Sequence, residues 1–322
     1  MRAAVARHLA NGETDLCQIE FCGYLYTTAS YGGPRVLQAH NVESTIWRRF
    51  AENESSAARR WFMRRQHDKY LKYEGWAFRD VERVVAVSRT DAETIASLYG
   101  DLPVDVVDNG VDVAAFGSVQ RQPDPHRILF LGALDWRPNQ DAVDWLLTEI
   151  FPAVRREVPQ AELTIVGRHP PASLVQRAAE AVGIHLFADV PDVRPHLAAS
   201  AVMSVPLRIG GGSRLKILES LAAGVPVVST QVGAEGLNLV NDVHLTVADS
   251  GEHHARALIE ALSTPARYEM QAAAGRAEVA ETYGWPRLAE RLERSWESAR
   301  ARRNPHRSRA AAEASEVANP LD

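Results

Sequence analysis

The sequence predicts an α/β protein of two units, the second built on a doubly wound parallel sheet. Three observations predict it. Between about 127 and 283, short apolar runs alternate with amphipathic helical patterns. Glycines at 132, 167 and 210–212 fall directly after such runs, where the carboxyl ends of parallel strands meet their ligands. A shorter pattern of the same kind fills the first 117 residues, and 322 residues suffice for two ordinary cores.

In chain order, the first unit has candidate strands at 16–21, 36–39, 84–87 and 104–107, with helices at 44–78 and 91–99. Four strands without an opening βαβ unit make little sheet for an independent domain, and residue 1 falls within a helical pattern. The expectation is an N-terminal domain that lacks its opening part. A stretch rich in Pro, Gln and Asp at 117–127 reads as a linker. The second unit has candidate strands at 128–131, 162–166, 185–187, 201–205, 225–229 and 244–247. A last helix follows Trp285, and a polar tail reads as disordered. The expected division is therefore 1–117, 118–283, a helix at 284–303 and a tail at 304–322.

The stretch PLRIGGGSRLKILESLAAGVPVVST at 206–230 joins a glycine-rich turn to a basic helix and then to a buried strand. Ser213 suits an N-cap for a helix running to about Ala223, and Gly224 supplies the stop. Free amides and the positive end of the helix dipole then face an anion, and glycine lets a diphosphate come close. Lys216 and Glu219 lie three apart and share a helix face, an ammonium for phosphate and a carboxylate for a ribose diol. Arg214 sits about 200° from Lys216 on an ideal helix, so it joins them only if the first turn is distorted or its side chain reaches back. The competing reading is an ordinary turn followed by an exposed Lys216–Glu219 ion pair worth about 0.2–0.5 kcal/mol. Neither a P-loop nor a dinucleotide fingerprint is present.

Composition excludes several classes. A net charge of −5 argues against electrostatic binding of nucleic acid. Cys17 and Cys22 are too few for a disulfide framework and lack partners for zinc, which fits a reducing cytoplasm. No apolar run is long enough to span a bilayer, and no histidine, the His253–His254 pair included, has ligand-like spacing, so no metal is expected. The segment 47–78 is basic and aromatic, with Arg48, Arg49, Arg59, Arg60, Arg64 and Arg65 around Trp61 and Phe62. It reads either as a helix packed on its domain or as a surface that lies on an anionic membrane or receives a lipid-linked acceptor.

Seven ordered motifs carry a resemblance over about 15–285: HNVES (40–44), VVAVS (84–88), DNGVD (108–112), GALDWRPNQDAV (132–143), IVGRHPP (165–171), DVPDVRPHL (189–197) and the 206–230 stretch. With them the sequence resembles the family 4 type glycosyltransferases of the GT-B fold, in a branch found among exopolysaccharide and cell-surface glycan enzymes. That resemblance implies two Rossmann-like domains facing a cleft, and retaining transfer of a sugar from a nucleotide-diphosphate sugar to a glycan or lipid-linked acceptor. It implies no separate cofactor and a cytoplasmic enzyme, peripheral at the inner membrane face if 47–78 meets lipid.

By position, the resemblance implies catalytic roles for His40, Arg214 and Lys216, His40 facing sugar and acceptor. It assigns the donor to Gly132, Arg137, Val190, Gly211, Gly212, Ser213 and Glu219, with Glu219 on the ribose and backbone near Asp189 and Val190 on the base. Two departures stand out. Gly211 occupies the place of the first acid of the family's E-x7-E pair, and Ala133 replaces an arginine that meets the diphosphate, a charge that Arg137, Arg214 and Lys216 are expected to restore. Two rivals follow: a non-catalytic homologue that binds nucleotide sugar, and a nucleotide-sugar 2-epimerase of the same fold, against which the HNVES and DWRPN wording argues.

Overall fold

The structure is a computed structural model that describes residues 1–52, 54–209 and 214–302. The motif glycines at 210–212, Ser213 and the tail expected at 304–322 lie outside the described residues. The chain forms two compact units, Met1–Asn109 together with the segment from Leu288, and residues 110–209 together with Arg214–Arg287.

In the first unit, β1 (Cys17–Ile19), β2 (Arg35–Ala39), β3 (Arg83–Ala86) and β4 (Val104–Val106) form a parallel sheet in sequence order. Alternation sends successive side chains to opposite faces. Leu37, Ala39, Val84 and Ala86 pack with Phe78, Ile95 and Tyr99, whereas Val36 and Val85 turn the other way and pack with Leu288 and Ala299. The helix Trp285–Ala301 thus covers the second face of this sheet. Arg291 donates to Asp108 Oδ2 at 3.1 Å, and Ser295 Oγ donates to Asp105 Oδ2 at 2.7 Å. The helix expected to stand apart at 284–303 belongs to the first unit, because Leu288 has this sheet face to bury against.

The helix expected over 44–78 is two helices, Glu43–Glu52 and Ala57–Arg79. Ser55 and Ser56 interrupt it, since serine competes with the helical backbone for hydrogen bonds. Glu54 Oε1 accepts from the Ser56 amide at 3.0 Å, and Arg60 Nε donates to the Glu54 carbonyl at 2.9 Å, closing the second helix's start.

In the second unit, six parallel strands run β10-β9-β8-β5-β6-β7: β5 (Asp124–Leu131), β6 (Glu162–Gly167), β7 (Ile184–Ala188), β8 (Ser200–Val205), β9 (Val227–Ser229) and β10 (Thr246–Val247). All six expected strands form. β9 starts late because Pro226 has no amide to donate, although its carbonyl still accepts from Met203 at 2.8 Å. The stretch expected as a linker at 117–127 runs from the end of the helix Val113–Gly117 into the start of β5 at Asp124, with residues 119–123 in neither helix nor strand, and the boundary between units lies earlier, at Asn109 and Gly110. Ile128, Leu129, Val202 and Met203 are fully buried, as strands covered on both faces require. Strand order reverses between β5 and β8, which makes their carboxyl ends the crevice where such sheets hold ligands. Among the described residues, no helix is long and apolar enough to cross a membrane.

Candidate functional site

At the switch point the chain leaves β5 through Gly132, whose amide donates to the Val166 carbonyl at 3.1 Å. A Cβ there would lie 2.8 Å from Asn139 Cγ, so only glycine lets the Asn139 side chain close over the strand end. Asn139 sits in the first turn of the helix Arg137–Trp145, begun by Pro138. It is buried, and its Nδ2 donates to the Ala133 carbonyl at 2.9 Å.

Lys216 arrives from the other side of the crevice, on the helix Leu215–Ala222 that follows β8. Its Nζ donates to Asn139 Oδ1 at 2.9 Å and stands 4.8 Å from the centroid of the Phe130 ring. An ammonium is thereby brought to the turn after Gly132, beside the Ala133 position where the family pattern has its arginine. Burial, and after it the nearby Arg214 charge, draw the Lys216 pKa down to about 7 against the opposing pull of Glu219. Burial raises Glu219, which the Lys216 charge counters. The two side chains share a helix face as the spacing predicts. They are half-buried and form no ion pair with each other, so the exposed-pair reading is corrected.

Arg214 is the N-cap of this helix, in place of the expected Ser213, with φ −98° and ψ 45°. It is buried, and its Nη2 donates to the Val232 carbonyl at 2.8 Å with Glu235 Oε2 at 3.8 Å. The guanidinium therefore braces the turn after β9, while its charge still acts on Lys216. Gly211, Gly212 and Ser213, the remaining expected donor contacts of this motif, lie outside the described residues.

Arg137 opens the helix Arg137–Trp145 and lines a cavity of about 410 Å³ with Ser173 and Arg177. Val190 packs partly buried against the core. Its neighbour Asp189 adopts φ +52°, donates its amide to the Gly167 carbonyl at 3.0 Å, and accepts from the His169 amide at 3.1 Å. His169 also has φ +52°, and its Nδ1 lies 3.2 Å from Asp135 Oδ2. Left-handed conformations at two non-glycine residues store strain, and here these bonds hold them at the carboxyl ends of β6 and β7.

In the first unit, His40 directly follows β2, with its Nε2 2.9 Å from Glu20 Oε2 and its ring 4.8 Å from that of Phe21. It lines a cavity of about 290 Å³ with Phe21, Tyr24, Asn41, Glu43 and Tyr70. Cys22 also borders it; its thiol is free, and burial pushes its pKa up to about 12. Behind the HNVES turn, the fully buried Glu74 accepts from the Glu43 amide at 2.6 Å, the Ser44 amide at 3.1 Å and the Tyr99 hydroxyl at 2.7 Å. A carboxylate from another helix thus serves as the N-terminal cap of Glu43–Glu52. His254, by contrast, is core: Nδ1 meets the Ala248 carbonyl at 3.1 Å, Nε2 meets Ser204 Oγ at 2.9 Å, and burial lowers its pKa to about 4. Among the described residues, no three ligating side chains gather as a metal site.

Sequence reasoning missed Asn139, Glu74 and the pair Arg208–Asp141. Arg208 grips Asp141 through two bonds of 3.0 and 2.7 Å and lies 4.8 Å over the Trp145 ring, tying the exit of β8 to the helix Arg137–Trp145. Asn139 and Asp141 stand inside the GALDWRPNQDAV motif, which was their available signal.

The family model described as Glycosyltransferase Family 4 matches residues 2–115, and the one described as Glycosyl transferases group 1 matches 125–264. Among curated relatives, the chain is 28% identical to the GDP-mannose-dependent alpha-(1-6)-phosphatidylinositol monomannoside mannosyltransferase of Mycolicibacterium smegmatis, over 66% of this chain. The chain spans 62% of that relative's length. Sucrose-phosphate synthase from Thermosynechococcus elongatus is a structural neighbour at TM-score 0.75 and 16% identity, covering 93% of this chain and 77% of its own. Alr3699/HepE of Anabaena in complex with UDP is another, at TM-score 0.70 and 15% identity, with coverage of 92% and 82%.

Proposed function

From a chain of the family 4, GT-B glycosyltransferase type, we propose transfer of a sugar, with retention of anomeric configuration, from a nucleotide-diphosphate sugar to a glycan or lipid-linked acceptor in surface polysaccharide synthesis. The observation that carries this reading is the ammonium of Lys216, held by Asn139 over the glycine turn at the sheet's switch point. Lys216 meets the diphosphate there, and Arg137 adds charge from the helix that follows β5. Glu219 accepts from the ribose hydroxyls, and the turn at Asp189 and Val190 reads the base through its backbone. The Anabaena neighbour is described in complex with UDP, which makes UDP the first nucleotide to try.

The dominant catalytic contribution in this reading is stabilisation of charge developing on the departing diphosphate. Lys216 suits that role, because its proton is weakly held without an anion and an arriving diphosphate favours the charged form. The leaving phosphate takes the acceptor proton, so no paired acid and base is required, and no metal or cofactor is assigned. His40, oriented by Glu20 beside an aromatic-lined cavity, contacts the transferred sugar and acceptor. The free thiols of Cys17 and Cys22 accord with a reducing cytoplasm.

Micromolar affinity needs about 8 kcal/mol, and one charged hydrogen bond gives about 1.5–3, so the donor is held by base, ribose and diphosphate together. Calorimetry with UDP, GDP, ADP and TDP tests the reading. One of them binds in the micromolar to low millimolar range, and Lys216→Ala weakens it far more than the matching nucleoside. Failure of all four at millimolar concentration removes the reading.

A further inference from the structure

The amino-terminal part of the helix Ala57–Arg79 is a surface that the transfer reading does not use. Its carboxyl-terminal part is built into the core through Tyr73, Glu74, Ala77 and Phe78, whereas no residue from 57 to 72 is buried. This part carries six basic residues, Arg59, Arg60, Arg64, Arg65, Lys69 and Lys72, and one acid, Asp68, in a chain of net charge −5. Arg59 meets Glu54 at 3.2 Å, and Arg60 is committed to the carbonyls of Glu54 and Ser55. Among the described residues, no carboxylate lies within ion-pair distance of Arg64, Arg65, Lys69 or Lys72.

Two large aromatic side chains share this surface. Trp61 is 62% exposed and Phe62 50% exposed. The Arg65 guanidinium lies 5.4 Å from the Trp61 ring. Beneath them Trp47 stacks on Tyr70 at 6.2 Å and meets the edge of Phe62 at 6.2 Å, so the aromatic pair stands on a packed base. At about 100° per residue, Trp61, Lys72, Arg65, Lys69 and Phe62 fall within one arc of roughly 100°, with Asp68 at its margin. From Trp61 to Lys72 the helix rises about 16 Å. An amphipathic body with a wet end and cations beside it is the chemistry that suits the boundary between headgroups and acyl chains.

We propose that this face docks the protein on an anionic lipid surface, Trp61 and Phe62 entering the interfacial layer while Arg65, Lys69 and Lys72 lie over acidic headgroups. Charge complementarity selects the occupant: residues 57–72 carry six basic side chains against one acid in a chain of net charge −5, and the aromatics add a component that salt does not screen. The inference rests on this surface alone and stands or falls independently of sugar transfer.

The test is flotation of the full chain with vesicles of phosphatidylcholine alone and of phosphatidylcholine mixed with phosphatidylglycerol. The chain floats with the mixed vesicles, and neutral vesicles hold it at least tenfold less. Arg65→Glu with Lys69→Glu lowers binding to mixed vesicles at least tenfold at low salt. Trp61→Ser with Phe62→Ser leaves a residual binding that moderate salt abolishes, whereas the parent retains part of its binding. Unchanged thermal unfolding of both variants shows that they remain folded. Equal binding to neutral and anionic vesicles, no binding to either, or variants that bind like the parent would overturn the proposal. So would loss of a self-associated state in the aromatic variant with vesicle binding intact, since the face would then serve a second copy of this chain.

Discussion

Lys216 combines a half-buried ammonium, an amide partner and an aromatic ring below it, and each has a measurable consequence. Without ligand, it releases its proton near pH 7, whereas the unfolded chain keeps it to the ordinary lysine value of 10.5. The unfolded state binds more protons between those values, so this residue makes stability rise with pH across that window. Lys216→Met removes that slope, as the difference between the two proteins' denaturant midpoints against pH reports. Diphosphate affinity takes the opposite sign and falls as pH rises above 7; Lys216→Arg flattens that profile in calorimetry. Asn139→Asp places a carboxylate where the amide oxygen now accepts from Nζ, neutralising the ammonium in advance, and lowers diphosphate affinity by about 1–3 kcal/mol. The shared face of Lys216 and Glu219 was legible, because i,i+3 spacing alone sets it. The course of Arg214 was not. A long side chain goes where tertiary partners draw it, and Val232 and Glu235 lie on a different element.

At the scale of elements, Glu74 joins two helices that the periodicity reads as one. Its carboxylate satisfies the amides of Glu43 and Ser44 and accepts from Tyr99, so Glu74→Ala leaves two amides and a hydroxyl without that acceptor. The expected loss is roughly 2–4 kcal/mol, seen as a lower urea midpoint at unchanged slope. Glu74→Gln keeps the shape with a weaker acceptor and should fall between parent and alanine. The six strands of the second unit were legible in their apolar runs bounded by glycine and proline, since strands buried on both faces, as β5 and β8 are, read as near-continuous apolar stretches. The break at Ser55 and Ser56 was obscured by basic and aromatic residues that continue on either side of it. The capping carboxylate carried no local signal, because a cap supplied from thirty residues away has no fixed spacing.

At the scale of the molecule, the helix Trp285–Ala301 completes the sheet formed by the opening strands. Leu288→Asp drives a charge into the cluster with Val36, Val85 and Val107. Hydrogen exchange should then show the amides of β2 and β3 losing protection while those of β5, β6 and β8 keep theirs. Equal loss in all five strands would mean that the two units unfold as one. Sequence alone could mark this helix but not its destination, since an apolar stripe states that a face is buried and not against what.

That arrangement also bears on how the protein is made. The strands β1 to β4 leave the ribosome before the second unit, yet the helix carrying Leu288 and Ala299 is translated only after the whole of it. At about 5–20 residues per second, the delay is roughly 10–40 s. Throughout that interval Val36, Val85 and Val107 lack their cover, so a nascent chain paused between the units presents an apolar sheet face to chaperones. The second unit, contiguous up to Arg287 apart from residues 210–213, can mature during the wait.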